Sequence, residues 1–196
     1  HGILFVADEV QSGFGRTGEM FAIEHYGVEP DIMVMAKGIA DGFPLSATIA
    51  TPEIADSLKP GEHLSTFGGN PISCAAALEN IAVMQEERLP QEAARKGEIA
   101  LTRLREMQER HALIGDVRGL GLMIGVELVK DPLTKAPAGA EAATVKRLAR
   151  EAGVIIGAGG PAGNVVRLQP PLVIDDTQLQ PVLDVIDDAI GTVSAG

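Results

Sequence analysis

A lysine and an aspartate close two apolar runs, and chemistry could reside in that pairing. The first run, Gly2-Ile3-Leu4-Phe5-Val6-Ala7, ends on Asp8-Glu9, and the second, Ile32-Met33-Val34-Met35-Ala36, ends on Lys37-Gly38. Continuous apolar runs of this length read as strands buried on both faces. The residues between them leave room for a loop and a short crossover helix over 19–26. A strand–helix–strand unit has parallel strands. Both runs therefore end at the carboxyl edge of one sheet, where open α/β sheets bind ligands. A desolvated lysine loses pKa and becomes a nucleophile, whereas a strand-ending lysine can simply reach for solvent. Beside Asp8 it either forms a salt bridge or shares a ligand with it.

Pyridoxal phosphate fits a shared ligand: its aldehyde takes a lysine as a Schiff base, and its protonated ring nitrogen takes a carboxylate. The blocks around these two residues point the same way. They are Ala7-Asp8-Glu9-Val10-Gln11-Ser12-Gly13-Phe14-Gly15-Arg16-Thr17-Gly18, Pro30-Asp31 with Ala36-Lys37-Gly38, and Ser65-Thr66-Phe67-Gly68-Gly69-Asn70-Pro71. Gly115-Asp116-Val117-Arg118-Gly119-Leu120-Gly121 and Arg167-Leu168-Gln169-Pro170-Pro171-Leu172 follow. In this order the blocks resemble the class III (omega) aminotransferases, pyridoxal-phosphate enzymes of fold type I, with closest likeness to 4-aminobutyrate and alanine–glyoxylate aminotransferases.

The resemblance implies an α/β fold: part of a large-domain parallel or mixed sheet, then a small α+β C-terminal domain. Residues 1–90 would belong to the cofactor-binding domain, 91–112 to a linking helix and 113–196 to the small domain. It implies that Lys37 carries the cofactor and shuttles a proton, that Asp8 holds the ring nitrogen, that Val10 packs on the ring and that Gln11 bonds near its phenolic oxygen. Glu9 points the other way if the strand alternates, and structural pairing is its preferred reading. Thr66, in a glycine-bearing loop suited to phosphate, would reach the cofactor of a neighbouring subunit, hence a homodimer with a shared site. Arg167 stands in an apolar strand and needs an anion; the resemblance makes that anion a substrate α-carboxylate, and an internal ion pair is the alternative. The implied reaction moves an amino group from an amino acid, of omega-amino or alanine type, to a keto acid. Isomerisation or racemisation within the same class is the second reading. Because the phosphate turn and stacking aromatic of the family are not visible, the chain reads as the second half of such an enzyme. Alone it is expected to be inactive, a structural fragment at most.

Composition sets the bounds. The 196 residues carry a net charge of -11 and 45% hydrophobic residues. An acidic chain without basic clusters speaks against nucleic acid and anionic membranes. One cysteine, Cys74, precludes an internal disulfide framework, and no zinc-site spacing is present. No apolar segment reaches membrane-spanning length; a reducing cytoplasm is the simplest compartment. Asp8-Glu9 imitates a Walker B segment, but no glycine-rich loop ending in Gly-Lys-Ser/Thr accompanies it. Gly157-Ala158-Gly159-Gly160 imitates a dinucleotide fingerprint, yet Pro161 denies the helix that must follow, so a turn is expected. His25, His63 and His111 carry no assigned chemistry.

Helices are expected over 53–58, capped by Thr51, and over 71–87, 91–111, 140–152 and 177–190, the last capped by Thr177. In the third, Ile99, Leu101, Leu104 and Met107 form the apolar stripe, with Arg103, Arg105, Glu106 and Glu109 on the solvated face. Further strands are expected over 45–50, 122–129, 154–156 and 165–168, with a glycine-broken stretch over 117–121.

Overall fold

The structure, a computed structural model, describes residues 1–194. Two compact units divide the chain, His1–Glu92 and the stretch from Ala93 onward.

In the first unit β1 (Val6–Asp8), β2 (Ile32–Met35) and β3 (Ala47–Ala50) form a sheet in that order. β1 and β2 are parallel, with Asp8 beside Val34, whereas β3 runs antiparallel to β2. Asp31 fixes the start of the sheet: its Oδ2 accepts the amide of Phe5 at 2.7 Å and its carbonyl accepts Thr51 N at 3.1 Å. Burial on both faces holds for Ala7 and Met35 only, because β1 is an edge strand among the described residues and Val6 is 49% exposed. The crossover helix expected over 19–26 is a single 3₁₀ stretch, Ala22–Tyr26. Gly27, at φ 61, stops it with a left-handed cap. The residues before it are consumed by a tight loop whose Gly15 and Gly18 also have positive φ.

The next helix, α1 (Pro52–Ala55), is one turn long; Thr51 caps it through no side-chain hydrogen bond, its carbonyl accepting Ile54 N and Ala55 N instead. α2 (Pro71–Glu86) starts as expected, with Pro71 at its first position and Asn70 as the cap, Oδ1 accepting Ser73 N at 2.9 Å.

The second unit is built on α3 (Leu89–Arg110), whose buried stripe comprises Ala93, Ala100, Leu101, Leu104 and Met107. This stripe packs into one core with an antiparallel sheet of β4 (Ile114–Leu120), β5 (Met123–Leu128), β7 (Val165–Leu168) and β6 (Gly157–Gly159), in that spatial order. α4 (Gly139–Glu151) and α5 (Asp176–Ser194) complete the core through Val145, Leu183, Ile186 and Ile190. Ile99 is only half-buried. Three departures from expectation have local causes. Residues 114–120 form a full strand, β4, with a bulge between Ile114 and Asp116, because Gly119 lies against β5 where a Cβ would sit 2.6 Å from the Met123 carbonyl. The strand expected over 154–156 begins instead at Gly157: Gly153, at φ 87, ends α4, and Val154 N still bonds back to the Ala149 carbonyl at 2.8 Å. The cap of α5 is Asp175, not Thr177; its Oδ1 accepts Gln178 N at 2.8 Å, while Gln178 Oε1 accepts Asp175 N at 3.2 Å. No helix among the described residues is long and apolar enough to cross a membrane.

Arg103, expected on a solvated face, pairs with Asp184 at 2.7 Å, one of three arginines that tie α3 to α5. Asp187 is the best enclosed of the three acids on α5 that these arginines meet: Arg110 Nη2 lies 2.6 Å away and His111 Nε2 2.7 Å away. Burial pushes its carboxyl up, but hydrogen bonds from Arg110 and then His111 outweigh burial and leave it below the ordinary carboxylate range. A depressed folded pKa contributes stability above the unfolded value and loses it as pH falls through the folded one. Asp187→Asn should therefore cost about 1–2 kcal/mol at pH 7, read as faster amide exchange in α3 and α5, and progressively less as pH falls below the ordinary carboxylate range. A cost that did not decline in acid would remove the carboxylate's charge from the account.

Candidate active site

The carboxyl ends of β1 and β2 bring two chemical groups to one edge of the first unit. Asp8 closes β1 with an exposed carboxylate whose Oδ1 accepts Val10 N at 3.1 Å. Lys37 follows β2 after Ala36 and opens a short 3₁₀ stretch, Lys37–Ile39. Its φ is 47, the left-handed region, which costs a non-glycine residue about 1–2 kcal/mol. Such strain persists where surrounding contacts over-determine it, and here they do. The Lys37 carbonyl accepts Ala40 N at 3.3 Å and Asp41 N at 3.1 Å, and Asn80 on α2 donates Nδ2 to the Gly38 carbonyl at 2.8 Å. Gly38 itself sits so close to Phe14 that a Cβ would lie 3.1 Å from the Phe14 Cβ. The Lys37 side chain is exposed.

The loop over this edge is held from below by Glu9, which is 3% exposed. Glu9 Oε2 accepts Ser12 Oγ at 2.6 Å and Ala22 N at 3.1 Å, and Oε1 accepts Ile23 N at 2.8 Å. The structural-pairing reading of Glu9 is thus what the geometry contains. The same loop packs Phe14 edge-to-face on Phe21 at 5.4 Å and ties His25 Nε2 to Thr17 at 3.1 Å. Val10 and Gln11 lie in its first turn, Val10 half-buried and Gln11 exposed. Arg16 is half-buried; burial pushes its guanidinium down, with Asp41 opposing, and it remains a cation at neutral pH. Thr66 is exposed in the loop before α2.

Arg167 belongs to the second unit, on the outward face of β7. Among the described residues it has neither an ion pair nor a hydrogen bond from its side chain, so the internal-pair alternative finds no partner. Its row across the sheet is Arg118, Gly125, Arg167, Gly157. With Gln169 it lines an otherwise apolar cavity of about 480 Å³ reaching Leu122, Pro170 and Leu183.

Lys37 and Asp8 suit pyridoxal phosphate: a carboxylate ending β1 and an amine just beyond the end of the adjacent parallel β2, both exposed. Sequence reasoning missed Asn80, whose signal was a lone amide inside the apolar stretch of α2, and Phe14, whose ring buttresses Gly38.

Residues 1–190 match the family model Aminotransferase class-III. The chain is 50% identical over its full length to a leucine/methionine racemase of Thermococcus litoralis, covering 44% of that protein. Over 95% of the chain it is 45% identical to the 4-aminobutyrate aminotransferase GabT of Escherichia coli, covering 44% of it. Among solved structures, a Bacillus anthracis aminotransferase superposes with a TM-score of 0.92 at 41% identity, over 98% of this chain and 45% of that one. The chain therefore spans less than half the length of these relatives.

Asn80→Ala removes the hydrogen bonds to the Gly38 and Ile39 carbonyls beneath the strained lysine and should speed amide exchange at Ala40 and Asp41 roughly fivefold to tenfold, the equivalent of about 1–1.4 kcal/mol. Unchanged exchange there would mean that Asn80 does not hold this turn.

Proposed function

The chain belongs to the class-III aminotransferase family, and on that premise we propose that its protein transfers an amino group from an amino acid to a keto acid with pyridoxal phosphate. The observation that carries the proposal is the placement of Asp8 and of the backbone-strained Lys37 at one edge of parallel β1 and β2. Bound pyridoxal phosphate supplies an electron sink for the pair left when the substrate Cα–H bond breaks. Lys37 Nζ would hold the cofactor covalently, and as the free amine, displaced by the substrate amino group, it would accept the substrate Cα proton. The Asp8 carboxylate keeps a proton on the ring nitrogen. Val10 packs on the ring face, and the Gln11 amide donates to the phenolic oxygen. Thr66 serves the phosphate bound by a neighbouring subunit, which makes the assembly a homodimer with shared sites. Arg167 takes the substrate α-carboxylate in a two-pronged hydrogen bond. Residues 1–90 act as part of the cofactor-binding domain and 113–196 as the small domain. The acidic charge and single cysteine suit a cytoplasmic enzyme that binds neither nucleic acid nor membrane.

The racemase name among the relatives favours a second reading, isomerisation at the same carbon. A required keto-acid acceptor separates the two: transamination needs one for turnover, isomerisation does not.

In the full-length protein, Lys37→Ala should abolish the borohydride-reducible link to pyridoxal phosphate and lower turnover by on the order of 10²–10⁴-fold. A variant that kept both would sink the assignment.

Arg167→Ala should lower kcat/KM for α-amino acids by roughly 10- to 150-fold, the equivalent of about 1.5–3 kcal/mol, and should affect amines without a carboxylate less. Equal losses for both would make Arg167 structural.

A further inference from the structure

Arg167, without an ion pair among the described residues, shares its sheet face with a glutamate, Glu127. Glu127 lies on β5 two residues from Gly125, and Gly125 stands directly between Arg118 on β4 and Arg167 on β7. Glu127 is thus the diagonal neighbour of both arginines, and diagonal partners, about 7–8 Å apart, are within reach of long side chains. It takes one of them: Arg118 Nη1 donates to Glu127 Oε2 at 2.7 Å and to Asp116 Oδ2 at 2.5 Å. Asn164 Nδ2 approaches the other oxygen of Glu127 at 3.5 Å. The Arg167 side chain leans the opposite way, over β6. A methyl group on Gly159 would lie 3.2 Å from Arg167 Nε, and one on Gly157 would lie 3.5 Å from the same atom.

Arg118 bonds both Asp116 and Glu127, whereas Arg167 has no acidic partner among the described residues. We propose that Arg118, drawing Glu127 toward β4, and the side-chain-free Gly157 and Gly159, admitting Arg167 over β6, are positioning residues that keep Arg167 unpaired for a carboxylate ligand. The inference rests on the assignment of Arg167 as the receptor of the substrate carboxylate. An ion pair with Glu127 would have to break before each binding event, and the substrate carboxylate would compete with one already tethered.

The test is kinetic, in the full-length protein, with an α-amino acid and with an amine lacking a carboxylate. Arg118→Gln should raise KM for the α-amino acid about tenfold, the equivalent of about 1.4 kcal/mol, with kcat within about twofold and the amine unaffected. Adding Glu127→Gln should restore KM, because the competitor is gone. Gly159→Ala, which pushes Arg167 back toward β5, should raise KM in the same selective way and respond to the same rescue. This second variant keeps the inference testable if Arg118→Gln fails to fold. An unchanged KM in the folded variants, or a raised KM that Glu127→Gln does not repair, overturns the inference. Arg167→Ala separates this outcome from failure of the underlying assignment: equal losses on both substrates refute the receptor role itself. A selective loss there, beside silent Arg118 and Gly159 variants, refutes only the positioning role.

Discussion

The first unit depends on a buried carboxylate answered by neutral donors. Glu9 receives one hydroxyl and two backbone amides, and burying it without them would cost several kcal/mol. Those amides belong to Ala22 and Ile23, at the start of the 3₁₀ stretch. The chain from Glu9 to Ile23 must therefore close back on itself. That closure puts Phe14 where it meets both Phe21 and Gly38. The turn bearing Lys37 thus rests on the loop that follows Asp8, and α2 steadies it from the other side through Asn80. Each residue of the candidate pair leans on a scaffold that the other strand helps to build.

Much of this was legible from residue types. Two apolar runs closed by Asp8 and Lys37, with enough residues between them for a loop and a short crossover, point to a parallel pair and a shared edge. Pro71, Gly153 and the stripe of Leu101, Leu104 and Met107 mark helices by local chemistry, and the helices stand there. What stayed hidden depends on distant contacts. The crossover is barely helical because the loop that closes onto Glu9 consumes the residues before Ala22 and Gly27 stops the helix after Tyr26. Residues 114–120 form a strand despite their glycines because Gly119 fits tightly on β5. The α5 cap fell to Asp175 because Gln178 reciprocates its hydrogen bond, and the left-handed φ of Lys37 leaves no mark in its residue type. The relation among Arg118, Glu127 and Arg167 requires strand register, which no spacing within one strand reveals.

The two units use glycine for opposite ends. Around Lys37 it permits the close approach of Gly38 to Phe14, which helps hold a strained backbone turn in place. Beside Arg167 it clears space, so that a long cation has somewhere to lie other than against an anion. One sheet face thus carries charge matched within itself at Arg118 and charge held in reserve at Arg167.

Gly97 has a consequence for how this sequence can drift or be redesigned. Replacing a helical glycine with alanine ordinarily stabilises a protein by restricting the unfolded chain. At position 97 the added methyl would stand 2.2 Å from the carbonyl oxygen of Gly121, in the turn between β4 and β5, and backbone cannot swing aside as a side chain can. The helix and the hairpin touch main chain to main chain, so a consensus or helix-propensity redesign would misjudge the sign of this substitution. Any lineage that acquired a side chain at 97 would have to move the hairpin as a body, and the register that sets Arg118 beside Glu127 would move with it.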